Sequence, residues 1–149
     1  SGATVYCSGV NFPDSQSASA DANTLDDYEE GTFTPTWVSG SGTLGSINYS
    51  NRVGKYTKIG RCVYFIYYSG NSTLTAVGST ISGLPFTNGS DVSNYTAINC
   101  AHFNFTTAGK DAYIVAGGTT IHFVSGTTTT TYVAGSAKFA MISGCYFIS

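Results

Sequence analysis

The stretch Cys62-Val63-Tyr64-Phe65-Ile66-Tyr67-Tyr68 decides the fold class. Side chains of a strand alternate between its two faces, so Val63, Phe65 and Tyr67 share one face and Tyr64, Ile66 and Tyr68 the other. Both faces are apolar or aromatic. A strand with one face in water would alternate apolar with polar residues. This strand is therefore expected to be covered on both sides. One face suits the opposite layer of a sandwich, and a second copy of the chain is the economical cover for the other.

Outward from that strand the text reads as strand, turn, strand. Upstream, Val53–Ile59 runs through the short turn Gly60-Arg61 into Cys62, and Ser46–Ser50 precedes it. Gly40, Gly42 and Gly45 mark a turn before that. Thr32–Val38 alternates around Pro35, which demotes it to an edge strand or a strand start. Downstream, Gly70–Ser72 reads as a turn and Leu74–Ile81 as the next strand. Ser82-Gly-Leu-Pro-Phe86 is a compact corner, with Leu84 and Phe86 placed to plug one end of the sandwich. Tyr95–Phe105 alternates, and Ala112–Ala116, Gly117-Gly118 and Thr119–Val124 form a hairpin. Thr127–Thr131 is a connection or edge, and Lys138–Ile148 closes the chain. Short strands at spacings near ten residues imply an all-β chain, an antiparallel β-sandwich of jelly-roll-like kind. Residues 1–31, small and polar with little periodicity, read as an arm or linker from an upstream segment, and 32–149 as the head domain.

Composition agrees. Only 9% of the 149 residues are charged, against about 25% in an ordinary domain. Eighteen Gly and an aromatic share of 14% suit tight turns and pleated strands. With a net charge of -2 and no basic stripe, the chain has little with which to neutralise phosphates, so nucleic acid is an unexpected partner. No apolar run approaches the roughly 20 residues of a spanning helix, so membrane insertion is not expected. The four cysteines, Cys7, Cys62, Cys100 and Cys145, fit no metal or redox spacing and are expected to be reduced.

The segment Asn23-Thr-Leu-Asp-Asp-Tyr-Glu-Glu-Gly-Thr-Phe-Thr-Pro-Thr-Trp37 resembles a signature of bacteriophage tail fibre and tailspike proteins. Gly54-Lys-Tyr-Thr-Lys-Ile-Gly60, Ile81-Ser-Gly-Leu-Pro-Phe86 and Ile142-Ser-Gly-Cys-Tyr-Phe147 continue the family pattern in order. The resemblance implies a homotrimeric β-sandwich at the tip of a virion tail fibre or spike, following upstream domains of the same chain. It implies attachment to bacterial surface polysaccharide or another host receptor, or a cap that only trimerises the spike. A glycan hydrolase or esterase is a third reading. Residues from Asn88 to Ser136 match none of the pattern.

No catalytic constellation and no cofactor motif is visible, so an enzyme is not expected. Asp26, Asp27, Glu29 and Glu30 are the candidates for a hard cation. The reading favoured for them is a solvated turn, or pairing with Lys55, Lys58 or Arg61. His102 and His122 are read as packed or surface strand residues. The aromatic residues carry the functional signal, because sugar rings stack their C–H faces on Tyr or Trp while their hydroxyls bond to Asn, Asp and Ser. Tyr67, Tyr68, Asn71, Asn88, Asp91, Asn94 and Tyr95 are the candidate ligand-binding residues. Trp37 is assigned to packing.

Overall fold

A computed structural model describes residues 27–39, 52–74, 77–104, 111–131 and 134–149. These form an all-β, wholly antiparallel sheet. Its strands are β1 Tyr28–Phe33, β2 Thr36–Ser39, β3 Arg52–Ile59, β4 Cys62–Leu74, β5 Gly78–Ser82, β6 Thr96–Ala101, β7 Asp111–Ile114, β8 Thr120–Ser125, β9 Thr128–Thr129 and β10 Gly135–Phe147. The hydrogen-bonded order is β1-β3-β4-β10-β6-β7-β8-β5-β2, with β9 paired to β8.

This path is one sheet curled on itself. Its two end strands, β1 and β2, are separated only by Thr34 and Pro35. Three residue steps reach at most about 10 Å, so the edges must lie close together. Strand β6 turns the corner: Thr96–Ile98 pairs with β7, while Asn99–Ala101 pairs with β10. The expected two layers are thus the halves β1-β3-β4-β10 and β7-β8-β5-β2 of a half-barrel, joined through β6. Pro35 is buried at the crossover, where its missing N–H is asked for no ladder bond. Gly83 packs there too, at a φ of +93° that favours glycine, with a would-be Cβ 3.3 Å from the Thr34 carbonyl.

The core lies inside the curl. Val63, Phe65 and Tyr67 of β4 and Ile142 and Tyr146 of β10 meet Trp37 of β2, Ile81 of β5 and Ile121 and Phe123 of β8. Trp37 is fully buried and stacks on Phe123 at 5.9 Å and on Phe103 at 6.5 Å. Leu84 is buried and Phe86 packs edge-on against Tyr56 at 5.2 Å, closing the end as the sequence led one to expect.

Two short fragments of β1 and β3 form one packing device. In the β1–β3 register Gly31 faces Tyr56 and Phe33 faces Gly54. Each ring lies over the opposing glycine: a Cβ at Gly31 would meet the Tyr56 ring at 2.6–2.7 Å, and one at Gly54 the Phe33 ring at 2.4–2.7 Å. Gly31-Thr-Phe33 and Gly54-Lys-Tyr56 are therefore reciprocal, each supplying the ring that fills the other's gap.

Several expectations change. Strand β1, Tyr28–Phe33, runs across the 31/32 boundary drawn between arm and head, and residues before Asp27 lie outside the described residues. The expected turn at Gly70–Ser72 is absent, because β4 runs on to Leu74. Asn71 at φ +49° and shifts of register against β10 make this a bulge, which bends the strand without ending it. Strand β6 stops at Ala101, short of Phe105. His102 takes φ +45°, which breaks the alternation, and Phe103 beside it is buried against Phe123. The expected strand at Ser46–Ser50 lies outside the described residues.

Candidate functional site

The curl leaves two outer faces, and the sequence equips them differently. On the first half, β3, β4 and β10 turn outward Val53, Ile59, Tyr64, Ile66, Tyr68, Met141 and Phe147. These are seven of the twelve large hydrophobic side chains left exposed among the described residues. Between them lies a groove of about 390 Å³, walled by Val53, Lys55, Ile66, Tyr68, Asn99, Ala101, Met141 and Ser143. Tyr64, Ile66 and Tyr68 share a face, as the alternation of Cys62–Tyr68 requires, and the structure makes that face the outer one.

The second half turns outward a row of polar and aromatic groups. Val38, Thr80, His122, Tyr113 and Ala97 are successive cross-strand partners over β2, β5, β8, β7 and β6. Tyr113 stacks on His122 at 5.3 Å, and Tyr95 lies against Tyr113 at 5.9 Å. Tyr95 ends this ladder and is 54% exposed. It directly follows a short 3₁₀ turn, Val92–Asn94, which Asp91 caps by accepting from the Ser93 N–H at 2.8 Å. Those hydrogen bonds from Ser93 hold the Asp91 carboxyl below its ordinary pKa. Burial lowers the pKa of His122, so the ring is neutral at neutral pH and adds no cation to the row.

A buried amide anchors the turn. Asn88 Nδ2 donates to the Asn94 carbonyl at 2.6 Å and to the Val115 carbonyl at 3.2 Å. The Asn94 side chain rests over Gly89, 2.7–2.9 Å from where a Cβ would stand. The turn carrying Asp91, Asn94 and Tyr95 is thereby fixed to the start of β6 and the end of β7.

The sequence candidates therefore separate into three groups. Asp91, Asn94 and Tyr95 come together at the end of the ladder. Tyr68 and Asn71 lie on the first half, Tyr68 on the apolar face with its hydroxyl folded over Gly70 and Asn71 exposed at the bulge. Tyr67 and Asn88 are interior. Tyr67 is 2% exposed and its hydroxyl accepts from Trp37 Nε1 at 2.8 Å, so it serves the core and is closed to a ligand. Asn88 is 1% exposed and acts as the anchor just described. Tyr113 and His122 were missed as partners of Tyr95. Their signal was present, because the hairpin at Gly117-Gly118 brings them opposite one another.

The carboxylates proposed for a cation are dispersed. Successive residues of β1 point to opposite faces, which parts Glu29 from Glu30. The Tyr56 hydroxyl donates to Glu29 and the Tyr28 hydroxyl to Glu30, while Asp27 pairs with Lys58. Asp26 lies outside the described residues. Among the described residues no cluster of His, Cys, Asp and Glu could hold a metal ion, and no helix is long and apolar enough to cross a membrane. Cys62, Cys100 and Cys145 are free thiols, and Cys7 lies outside the described residues. Compared with known proteins, the chain matches no family model, no curated sequence and no solved structure.

Proposed function

We propose that the chain is the host-recognition head of a phage tail fibre or tailspike, a homotrimer that attaches the virion to a bacterial surface polysaccharide and is not an enzyme. The observation that carries this reading is the ladder Tyr95–Tyr113–His122, with Asp91 and Asn94 on the short turn that leads into Tyr95. An exposed ring already held by its neighbours loses little freedom when a sugar stacks on it, and the adjacent carboxylate and amide are what hydroxyls require. The uncharged His122 and the low overall charge favour a neutral, stacking mode of recognition.

In this reading the two outer faces divide the work. The apolar face of β3, β4 and β10 packs against two further copies in a jelly-roll-like trimer, and the ladder faces the host. One stacked sugar is a weak ligand, and three sites per particle raise avidity without new contacts. The signature fragments from Asn23 to Trp37 support the phage assignment. A cap that only trimerises remains the second reading, favoured by the same apolar face.

The test is binding to an array of bacterial surface polysaccharides, capsular and lipopolysaccharide-derived. The wild-type chain should bind at least one member and keep most of that binding when salt rises from about 0.05 to about 0.5 M, conditions that screen exposed charge pairs. Tyr95→Ala and Tyr113→Ala should each weaken binding about tenfold or more, in keeping with the loss of one stacking contact. Binding unaffected by both variants would put the site elsewhere, and no binding by a wild-type trimer would favour the cap.

A further inference from the structure

Cys62 opens β4 and Cys145 lies near the end of β10, the strand paired with it. The register sets Cys62 opposite Phe147 and Cys145 opposite Tyr64, so the two cysteines are diagonal neighbours on the outer face. Their Sγ atoms are 2.7 Å apart. That is about 0.65 Å more than a disulfide bond of about 2.05 Å. Both side chains are half-buried, beside the exposed Tyr64 and Phe147. Cys100 is on the inner side of β6, opposite Ile142, and takes no part in the pair.

We propose that Cys62 and Cys145 are a modification site, a cross-strand dithiol that closes to a disulfide by exchange with a small-molecule disulfide and clamps β10 to β4. This inference does not use the aromatic ladder, and because the pair lies on the face proposed for subunit packing it is tested on the Ile66→Lys chain, in which that face carries a charge, as well as on the wild type. In the first step one cysteine thiolate attacks a sulfur of the small disulfide. A mixed disulfide forms, the small S–S bond breaks and one small thiolate leaves. The remaining cysteine then gives its proton to solvent and attacks the protein sulfur of the mixed disulfide, expelling the second small thiolate. The chain loses two protons and two electrons, and the small disulfide takes them up to become two thiols. Burial and the hydrogen bond with Cys62 push the Cys145 thiol up to about 11. Attack by Cys145 is therefore slow at neutral pH and quickens as the pH rises. Burial pushes Cys100 up to about 12, which keeps it inert.

The clamp has a structural consequence. Strand β10 pairs with both β4 and β6 and so holds the half that bears the apolar face to the strand that turns the corner. A bond at this point ties β10 to β4 covalently beside their hydrogen-bonded register. The chain made in a reducing cytoplasm would carry two thiols here, and the same chain outside the cell would carry the bond.

The experiment incubates the reduced, folded chain with excess oxidised glutathione at about pH 9, long enough for slow exchange to finish. Intact mass and an unreduced tryptic map are then recorded. The expected product is two hydrogens lighter, with fragments 62–110 and 139–149 joined. The join should persist in Cys100→Ser and vanish in Cys62→Ser, while Cys145→Ser should carry a glutathione adduct instead. The closed wild-type chain should unfold at higher denaturant than the reduced one. Stable glutathione adducts on wild-type Cys62 or Cys145, a join to Cys7 or Cys100, a dimer linked through these cysteines, or unchanged thiols in the folded chain would overturn the proposal.

Discussion

A single hydroxyl separates two adjacent tyrosines that composition cannot tell apart. Tyr67 hands its oxygen to Trp37 inside the curl, whereas Tyr68 lies outside. Tyr67→Phe removes that acceptor and should lower unfolding stability by about 1–2 kcal/mol, while Tyr68→Phe should change it by less than about 0.5 kcal/mol. Equilibrium denaturation of both variants checks the assignment. The same burial predicts how the protein behaves in alkali. Burial is the first cause of the rise for Tyr67 and Tyr146, and the bond to Glu29 for Tyr56, and each phenol is pushed up to about 12. Phenols of the unfolded chain ionise near pH 10. Because the folded state keeps these protons longer, their contribution is complete below about pH 10 and is lost as the pH climbs from there towards about 12. Phenolate absorbance followed with near-ultraviolet dichroism should show a late group of tyrosines titrating together with loss of tertiary structure. Tyrosines that all titrate near 10 in a folded chain would contradict the burial described.

Strands were legible wherever their apolar alternation was strong, and less so where backbone conformation interrupts it. Cys62–Tyr68, the Gly60-Arg61 turn and the hairpin from Asp111 to Ser125 follow from period and turn residues alone. The bulge at Asn71 and the stop at His102 rest on positive φ at residues other than glycine, which composition does not announce. Glycine misled at Gly70, where it makes room for the Tyr68 hydroxyl and does not make a turn. The reciprocal pairs Gly31–Tyr56 and Phe33–Gly54 show the converse case, in which glycines inside strands serve packing. Gly54→Ala would press a methyl group into the Phe33 ring, and a cost of about 1–3 kcal/mol is expected. Gly60→Ala has open space around it but sits at φ +54°, so it should cost about 1–2 kcal/mol from the backbone alone. The pair of variants separates crowding from conformation: adding Phe33→Leu should recover part of the Gly54→Ala loss and none of the Gly60→Ala loss.

For the molecule as a whole, sequence periodicity divided β4 into its two faces without saying which one is inside, and it placed Tyr67, Tyr68 and Tyr95 in one set of candidates. The curl puts them in the core, on one outer face and on the other. That separation depends on the order of ten strands, which no local pattern contains. It also gives the exposed hydrophobic residues a shape: Val53, Ile59, Tyr64, Ile66, Tyr68, Met141 and Phe147 form one continuous face over β3, β4 and β10. Single apolar residues on a surface are ordinary, but a face of this kind calls for a partner. In the proposed assembly two further copies would cover this face and leave the Tyr95 ladder free for a ligand. The direct test is the mass of the particle in solution, by light scattering of the chain at micromolar concentration. A mass three times the 15.6 kDa of one chain is predicted, falling towards one chain when Ile66→Lys places a charge in the face. A wild-type particle of 15.6 kDa, stable and folded, would contradict it.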